Sequence, residues 1–197
     1  LLCGFLGSGK TTLLTDHLRG GAARDTAVIV NEVGQIDVDG AVIAAGASVP
    51  TVMLSNGCVC CSIVNELSST IEQLFADRVA RGEPSLRRIV VECSGLSTPG
   101  PILRSLARLP VKALQARVLS TFDVQRGADW LRLHREAASQ LAAAHTVVLT
   151  KLDLASAPQR TLALQVVASV NPLARVVDEA DAAQRAHLAF PARGGAL

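Results

Sequence analysis

Apolar residues in this chain fall into short unbroken runs, separated by stretches in which they recur every three or four positions. Leu1-Leu2-Cys3 is the first run, the stub of a strand. Thr26–Val30 follows, ended by Asn31-Glu32-Val33-Gly34, and then Thr51–Leu54 ahead of Asn56-Gly57. Arg88–Glu92, Arg117–Asp123, His145–Thr150 and Ala174–Val177 complete the set. Runs that are apolar at every position, rather than at alternate ones, suit strands buried on both faces. Between them the spacing predicts helices over about 62–81, 100–108, 127–143 and 158–169. In the first of these, Ile63, Leu67, Ile71, Leu74 and Phe75 share one face. Thr12-Leu13-Leu14 with Leu18 predict another helix directly behind the first strand. Strands alternating with helices predict an α/β fold, a mostly parallel sheet flanked by helices. No internal repeat is visible. From Asp178 onward periodicity fades, so residues 1–177 are expected to form the domain and 178–197 a linker or disordered tail. The first residue already lies in a strand and is not Met, so the sequence reads as trimmed at its front.

Between the first strand and its helix lies Gly4-Phe5-Leu6-Gly7-Ser8-Gly9-Lys10-Thr11-Thr12, which fits G-x-x-x-x-G-K-[ST]. In such a loop Gly4, Gly7, Ser8 and Gly9 turn backbone N–H groups inward around a polyphosphate. Lys10 adds a compact positive charge for the outer phosphates, and the Thr11 hydroxyl can ligate Mg²⁺. Thr12 continues into a helix whose N-terminus is itself an anion site. In this fold class ligands sit at the carboxyl ends of the strands. There the sequence places Glu92-Cys93-Ser94-Gly95. Glu92 is a candidate carboxylate facing Mg²⁺ and, with Lys10, a candidate catalytic group. Gly95 would let the backbone approach a γ-phosphate. Thr150-Lys151-Leu152-Asp153 ends a later run and fits the [NT]-K-x-D element that reads guanine. The Asp153 carboxylate would accept from guanine N1–H and the 2-amino group, while the Lys151 stem packs along the base. Adenine lacks that donor pair, so the contact favours GTP over ATP.

Composition narrows the function further. Of the residues 49% are hydrophobic but only 3% aromatic, so the core must be built from Val, Leu, Ile and Ala. A net charge of +2 argues against a dedicated nucleic-acid surface. No run reaches the ~18 apolar residues of a membrane span. Three of the five Cys lie in Gly57-Cys58-Val59-Cys60-Cys61. That spacing is unlike a secreted disulfide framework and points to a reducing compartment, the cytoplasm. Three thiolates in a polar turn suit a soft or borderline transition metal, with Zn²⁺ and Co²⁺ ranked first because both accept tetrahedral thiolate sites. A fourth position left open suits a metal that is handed on. A redox pair or buried structural cysteines are the competing readings of Cys58, Cys60 and Cys61. Cys3 and Cys93 read as small core residues. The four His are scattered and each reads as a surface or core residue.

Taken in order, these motifs resemble the CobW-like metal-handling P-loop GTPases, relatives of the urease and hydrogenase nickel-insertion GTPases. The resemblance rests on residues 4–14, Asn31–Gly40, Cys58-Val59-Cys60-Cys61, Glu92–Pro99, Thr150–Leu154 and Asn171-Pro172-Leu173-Ala174. It implies a SIMIBI-type P-loop GTPase fold, binding of GTP or GDP with Mg²⁺, slow hydrolysis, and delivery of a transition metal to a recipient metalloprotein. It implies that Asn31–Gly40 is the first switch loop, with Asp39 approaching Mg²⁺, and Glu92–Pro99 the second. Family members usually continue into a smaller C-terminal domain. Four positions depart from the family pattern: Val33 replaces Phe, Gln35 an acidic residue, Thr98 the second-switch Asp, and His145 the Asp before the fifth strand. Gln35 removes one ligand from the first switch, and Asp37 is the nearby acid that could compensate. An ATP-dependent P-loop kinase of a small substrate and a GTP-dependent assembly protein without cargo metal are the rival readings, and a homodimer stays open.

Overall fold

The computed structural model describes residues 1–20, 25–31, 49–54, 62–107, 109 and 115–191, with backbone alone for 31 and 62–65. In chain order the elements are β1 (Leu2–Gly4), α1 (Lys10–Arg19), β2 (Thr26–Asn31), β3 (Thr51–Met53), α2 (Ser62–Ala80), β4 (Arg88–Cys93) and α3 (Pro99–Leu106). Next come β5 (Leu119–Asp123), α4 (Gly127–Leu133), α5 (Arg135–Ala142), β6 (Thr146–Thr150), a 3₁₀ turn (Leu152–Leu154), α6 (Ala157–Val170), β7 (Arg175–Val177) and α7 (Ala182–Ala189). Seven strands form one sheet in the order β3-β2-β4-β1-β5-β6-β7, and every pair is parallel. The predicted α/β class and all the predicted strands are present.

The unbroken apolar runs have the expected cause, since successive residues of one strand feed opposite cores. Cys3, Ala27, Ile29, Val147 and Leu149 face a core with Leu67 and Ile71 of α2, Leu141 of α5 and Val167 of α6. Leu2, Val28, Val30 and Val148 face the other, with Leu13, Leu14 and Leu18 of α1 and Ala186 and Ala189 of α7. Each of those α1 leucines is at most 3% exposed, and burying such a side chain stabilises by about 1.5–3 kcal/mol. Cys3 and Cys93 are both fully buried core residues, as predicted. A hydrogen bond with Cys3, added to complete burial, pushes the Cys93 thiol well above its ordinary pKa.

Two expectations change. The helix predicted over 127–143 is two helices, broken at His134, whose backbone is extended (φ −134°, ψ 113°). The His134 ring stacks on Phe5 of the glycine-rich loop, 4.5 Å between centroids, and that contact turns the chain. The stretch from 178, predicted as linker or frayed end, contains α7, capped by Asp181 Oδ1 accepting from Gln184 N at 2.8 Å. It packs on α1. Its end is fastened there as well: Phe190 stacks on His17 at 4.1 Å, and Arg88 Nη2 donates to Pro191 O at 2.7 Å.

The sequence motif Asn171-Pro172-Leu173-Ala174 also finds a structural role. Asn171 Nδ2 donates to the carbonyls of Leu141 (3.0 Å), Ala142 (3.2 Å) and Ala144 (2.8 Å), closing the open end of α5. We expect Asn171→Ala to lose about 1–3 kcal/mol in urea unfolding, and a change below a few tenths would contradict this role. The His17 clasp predicts a pH dependence. Arg88 Nη1 lies 2.8 Å from His17 Nε2. A guanidinium can only donate, so His17 is the neutral acceptor. Burial first, and then the Arg88 charge, push its pKa from 6.5 down to about 4, against a weaker upward pull from Asp25. The unfolded chain therefore takes up the proton first. The clasp is fully stabilising above about pH 6.5, and its contribution is lost as pH falls toward about 4. Thermal unfolding between those limits should show a steeper fall for the native chain than for His17→Gln, and parallel curves would refute the assignment.

Candidate nucleotide site

β1 lies between β4 and β5, so the loop leaving it opens into a crevice walled by the ends of both. The loop follows its glycines. Gly4, Gly7 and Gly9 have φ of 142°, 69° and 88°, values that L side chains rarely adopt. At Gly4 a Cβ would also fall 2.1 Å from Thr121 Oγ1 and 2.6 Å from Ser8 Oγ, so no other residue fits. Gly7 faces open space and Gly9 forms the left-handed start of α1.

Neighbouring strands hold this loop by hydroxyls. Ser8, 2% exposed, has its Oγ 2.7 Å from Thr121 Oγ1 on β5, and Thr121 donates in turn to Cys3 O at 3.3 Å. Thr150 Oγ1, at the end of β6, donates its one hydrogen to Ser8 O at 2.9 Å, shared with Phe122 O at 3.2 Å. Phe5 is pinned between α4 and α5 by Trp130 (5.1 Å between centroids) and His134.

The predicted polyphosphate groups converge. The Lys10 ammonium is buried and donates to Gly4 O at 3.1 Å, across the mouth of the loop. Thr11 Oγ1 donates to Glu92 Oε1 at 2.6 Å. Glu92, at the end of β4, is fully buried. A hydroxyl and a carboxylate held together at the rim of a phosphate loop are the hard oxygen ligands that Mg²⁺ takes. The residues therefore fit that ion. Thr12 is exposed on the first turn of α1. Gly95 lies against the loop itself: a Cβ there would sit 2.7 Å from Leu6 N.

Thr150, Lys151 and Asp153 follow at the end of β6, where Thr150 touches the loop at Ser8 and Gly9. Lys151 takes a left-handed backbone (φ 58°, ψ 35°), the one non-glycine residue with positive φ among the described residues. Its ammonium meets Asp123 Oδ2 at 2.6 Å, and Asp123 is 2% exposed. The other Asp123 oxygen accepts from Gln125 N (2.9 Å) and Arg126 N (3.2 Å). Asp153 stands exposed on the 3₁₀ turn.

Of the departures from the family pattern, Thr98 is the residue before α3, with Pro99 opening that helix. His145 lies at the end of β6 remote from the loop, where its Nδ1 accepts from Val118 N at 3.1 Å. Asp39 and the Cys58, Cys60, Cys61 cluster lie outside the described residues, as do Val33, Gln35 and Asp37. Among the residues that sequence reasoning passed over, Thr121, Asp123 and Gln140 stand out. Thr121 and Asp123 carried a signal, being polar positions inside an otherwise apolar run.

The family described as CobW/HypB/UreG, nucleotide-binding domain, matches residues 1–178. The zinc chaperone YjiA of Escherichia coli is 36% identical over 163 residues, 81% of this chain and 51% of that protein. The zinc chaperone CobW of Pseudomonas aeruginosa is 33% identical over 185 residues, 78% of this chain and 48% of that protein. This chain thus spans about half the length of the curated relatives it matches. The crystal structure of Zn(II)-bound YjiA GTPase from E. coli superposes with a TM-score of 0.68 at 29% identity, over 91% of this chain and 56% of that one. The hydrogenase maturation factor HypB of Archaeoglobus fulgidus shares the fold, with a TM-score of 0.63 at 16% identity over 90% of this chain and 78% of that one. With its glycine-turned loop, its Thr11–Glu92 pair and these matches, the chain belongs to the CobW/HypB/UreG nucleotide-binding-domain family.

Proposed function

We propose that this chain is the GTP-binding and hydrolysing part of a cytoplasmic metallochaperone. It binds a transition metal, Zn²⁺ or Co²⁺, through Cys58, Cys60 and Cys61 and passes it to a recipient metalloprotein. The observation that carries the nucleotide half is the Thr11–Glu92 contact of 2.6 Å beside Lys10, at the rim of a loop with three left-handed or otherwise glycine-only positions. The metal half rests on family membership, on relatives named zinc chaperones, and on thiolate chemistry at Cys58–Cys61.

In this reading the loop N–H groups of residues 7–12 and the N-terminus of α1 bind the phosphates. Lys10 Nζ exchanges the Gly4 carbonyl for phosphate oxygen. Thr11, Glu92 and, on the first switch loop, Asp39 would hold Mg²⁺, which supplies positive charge against the phosphate oxygens as the leaving group departs. Asp153 accepts from the guanine N1–H and 2-amino groups. Lys151, anchored by Asp123, lays its stem along the base. Intrinsic hydrolysis is slow in this reading, with Lys10 and Mg²⁺ carrying most of the charge stabilisation. Contact of Gly95 with the γ-phosphate, made by GTP and not by GDP, locks the second switch and orders the first. The cysteine loop, which lies between the two switches in sequence, then reaches metal-binding geometry.

Two measurements test this. Asp153→Asn should weaken GTP binding about 10- to 100-fold, the loss of charge-assisted hydrogen bonds, and should improve binding of xanthosine triphosphate, whose ring carbonyl accepts from the new amide. Unchanged GTP affinity, or a native preference for ATP, would reject the guanine reading. Titration of reduced protein with Co²⁺ should show the thiolate charge-transfer band. Binding should be tighter with a non-hydrolysable GTP analogue than with GDP, and lost in Cys60→Ala. Equal affinity in both nucleotide states would mean that nucleotide does not gate the metal.

A further inference from the structure

Gln140 on α5 is polar, 1% exposed, and unused by the nucleotide chemistry above. Its Nε2 donates to Gly95 O at 2.9 Å and to Ser97 O at 2.8 Å. Two carbonyl acceptors fix the amide's orientation, because turning it over would set Oε1 against both. Oε1 itself has no hydrogen-bond partner among the described residues. A buried acceptor left unpaired is costly, and the fold accepts that cost at one end of the amide while both donors go to a single turn. That turn is closed by Ser97 N donating to Ser94 O at 2.9 Å.

Gly95 is therefore gripped from two sides. Gln140 holds its carbonyl, and Leu6 of the phosphate loop lies so close that a Cβ on Gly95 would come within 2.7 Å of Leu6 N. Gln140 also borders a cavity of about 20 Å³ shared with Ser8 and Thr121, the hydroxyl pair that tethers the phosphate loop. One side chain thus stands next to both the loop that takes the β-phosphate and the turn that would take the γ-phosphate.

We infer that Gln140 is a positioning residue for recognition of the γ-phosphate: by holding the carbonyls of Gly95 and Ser97 it sets the Gly95 peptide against the phosphate loop before nucleotide arrives. GTP meets a preformed Gly95 N–H, whereas GDP stops short of it. This rests on residues 4–12 taking a guanine nucleotide.

Gln140→Met keeps the length of the side chain and removes both donors. Calorimetric titrations with Mg²⁺ should show the affinity for a non-hydrolysable GTP analogue falling about tenfold, the scale of two lost hydrogen bonds. Affinity for GDP should stay within about twofold, which a merely structural role would not produce. Equal losses for both nucleotides, or an unchanged ratio, would overturn the inference. Failure of the native chain to bind GDP would instead overturn the nucleotide reading beneath it. The native chain gives a second test that needs no variant. The Gln140 side-chain amide protons should stay protected from solvent exchange with and without the GTP analogue, and loss of protection on analogue binding would show that the clamp is released rather than used.

Discussion

Ser8 is held from two strands at once, by the Thr121 hydroxyl through its side chain and by the Thr150 hydroxyl through its carbonyl. A loop with three glycines at positive φ has many conformations available, and ordering it only on binding would cost entropy at each freed residue. The two threonines remove much of that freedom in advance. They can do so only because β5 lies directly beside β1 and β6 beside β5, which brings residues 113 and 142 positions away from Ser8 into contact. The start of α1, the direction of Lys10 and the Thr11–Glu92 pair all inherit their positions from this tether.

Charge is arranged around the loop with equal care for desolvation. Glu92 and Asp123 are both buried, and each meets a specific partner: a hydroxyl donor from Thr11 in one case, an ammonium and two backbone N–H groups in the other. Buried carboxylates without such partners would be strongly destabilising. The Asp123–Lys151 contact also explains why a lysine tolerates a left-handed backbone, since the ion pair and the following 3₁₀ turn over-determine its conformation.

Much of this architecture was legible because a parallel sheet buried on both faces writes itself as unbroken apolar runs, and because the phosphate loop is local in sequence. What stayed hidden is long-range or small. The break at His134 depends on its stacking against Phe5, more than a hundred residues earlier, and the helical spacing of 127–143 continues straight through it. The buried face of α7 is made of Ala186 and Ala189, too small to produce a hydrophobic rhythm. Asp123 and Gln140 act on partners 28 and 43–45 positions away, and neither belongs to a short motif. Of the candidate site, the glycine-rich loop of residues 4–12 and the Thr150–Asp153 element were readable as motifs. The cysteine cluster, the strongest metal signal in the sequence, lies outside the described residues.

The clasp between Arg88 and Pro191 has a mechanical side. Arg88 opens β4 and Glu92 lies four residues along the same strand, roughly 13 Å away at the usual rise per residue. The strand is hydrogen-bonded to β2 along its whole length and to β1 beside it, so it behaves as a stiff rod. Pro191 is tied to one end of that strand, and Glu92 with the Ser94–Ser97 turn lies at the other. Pro191 and the carboxylate beside the glycine-rich loop are thus joined through a single strand.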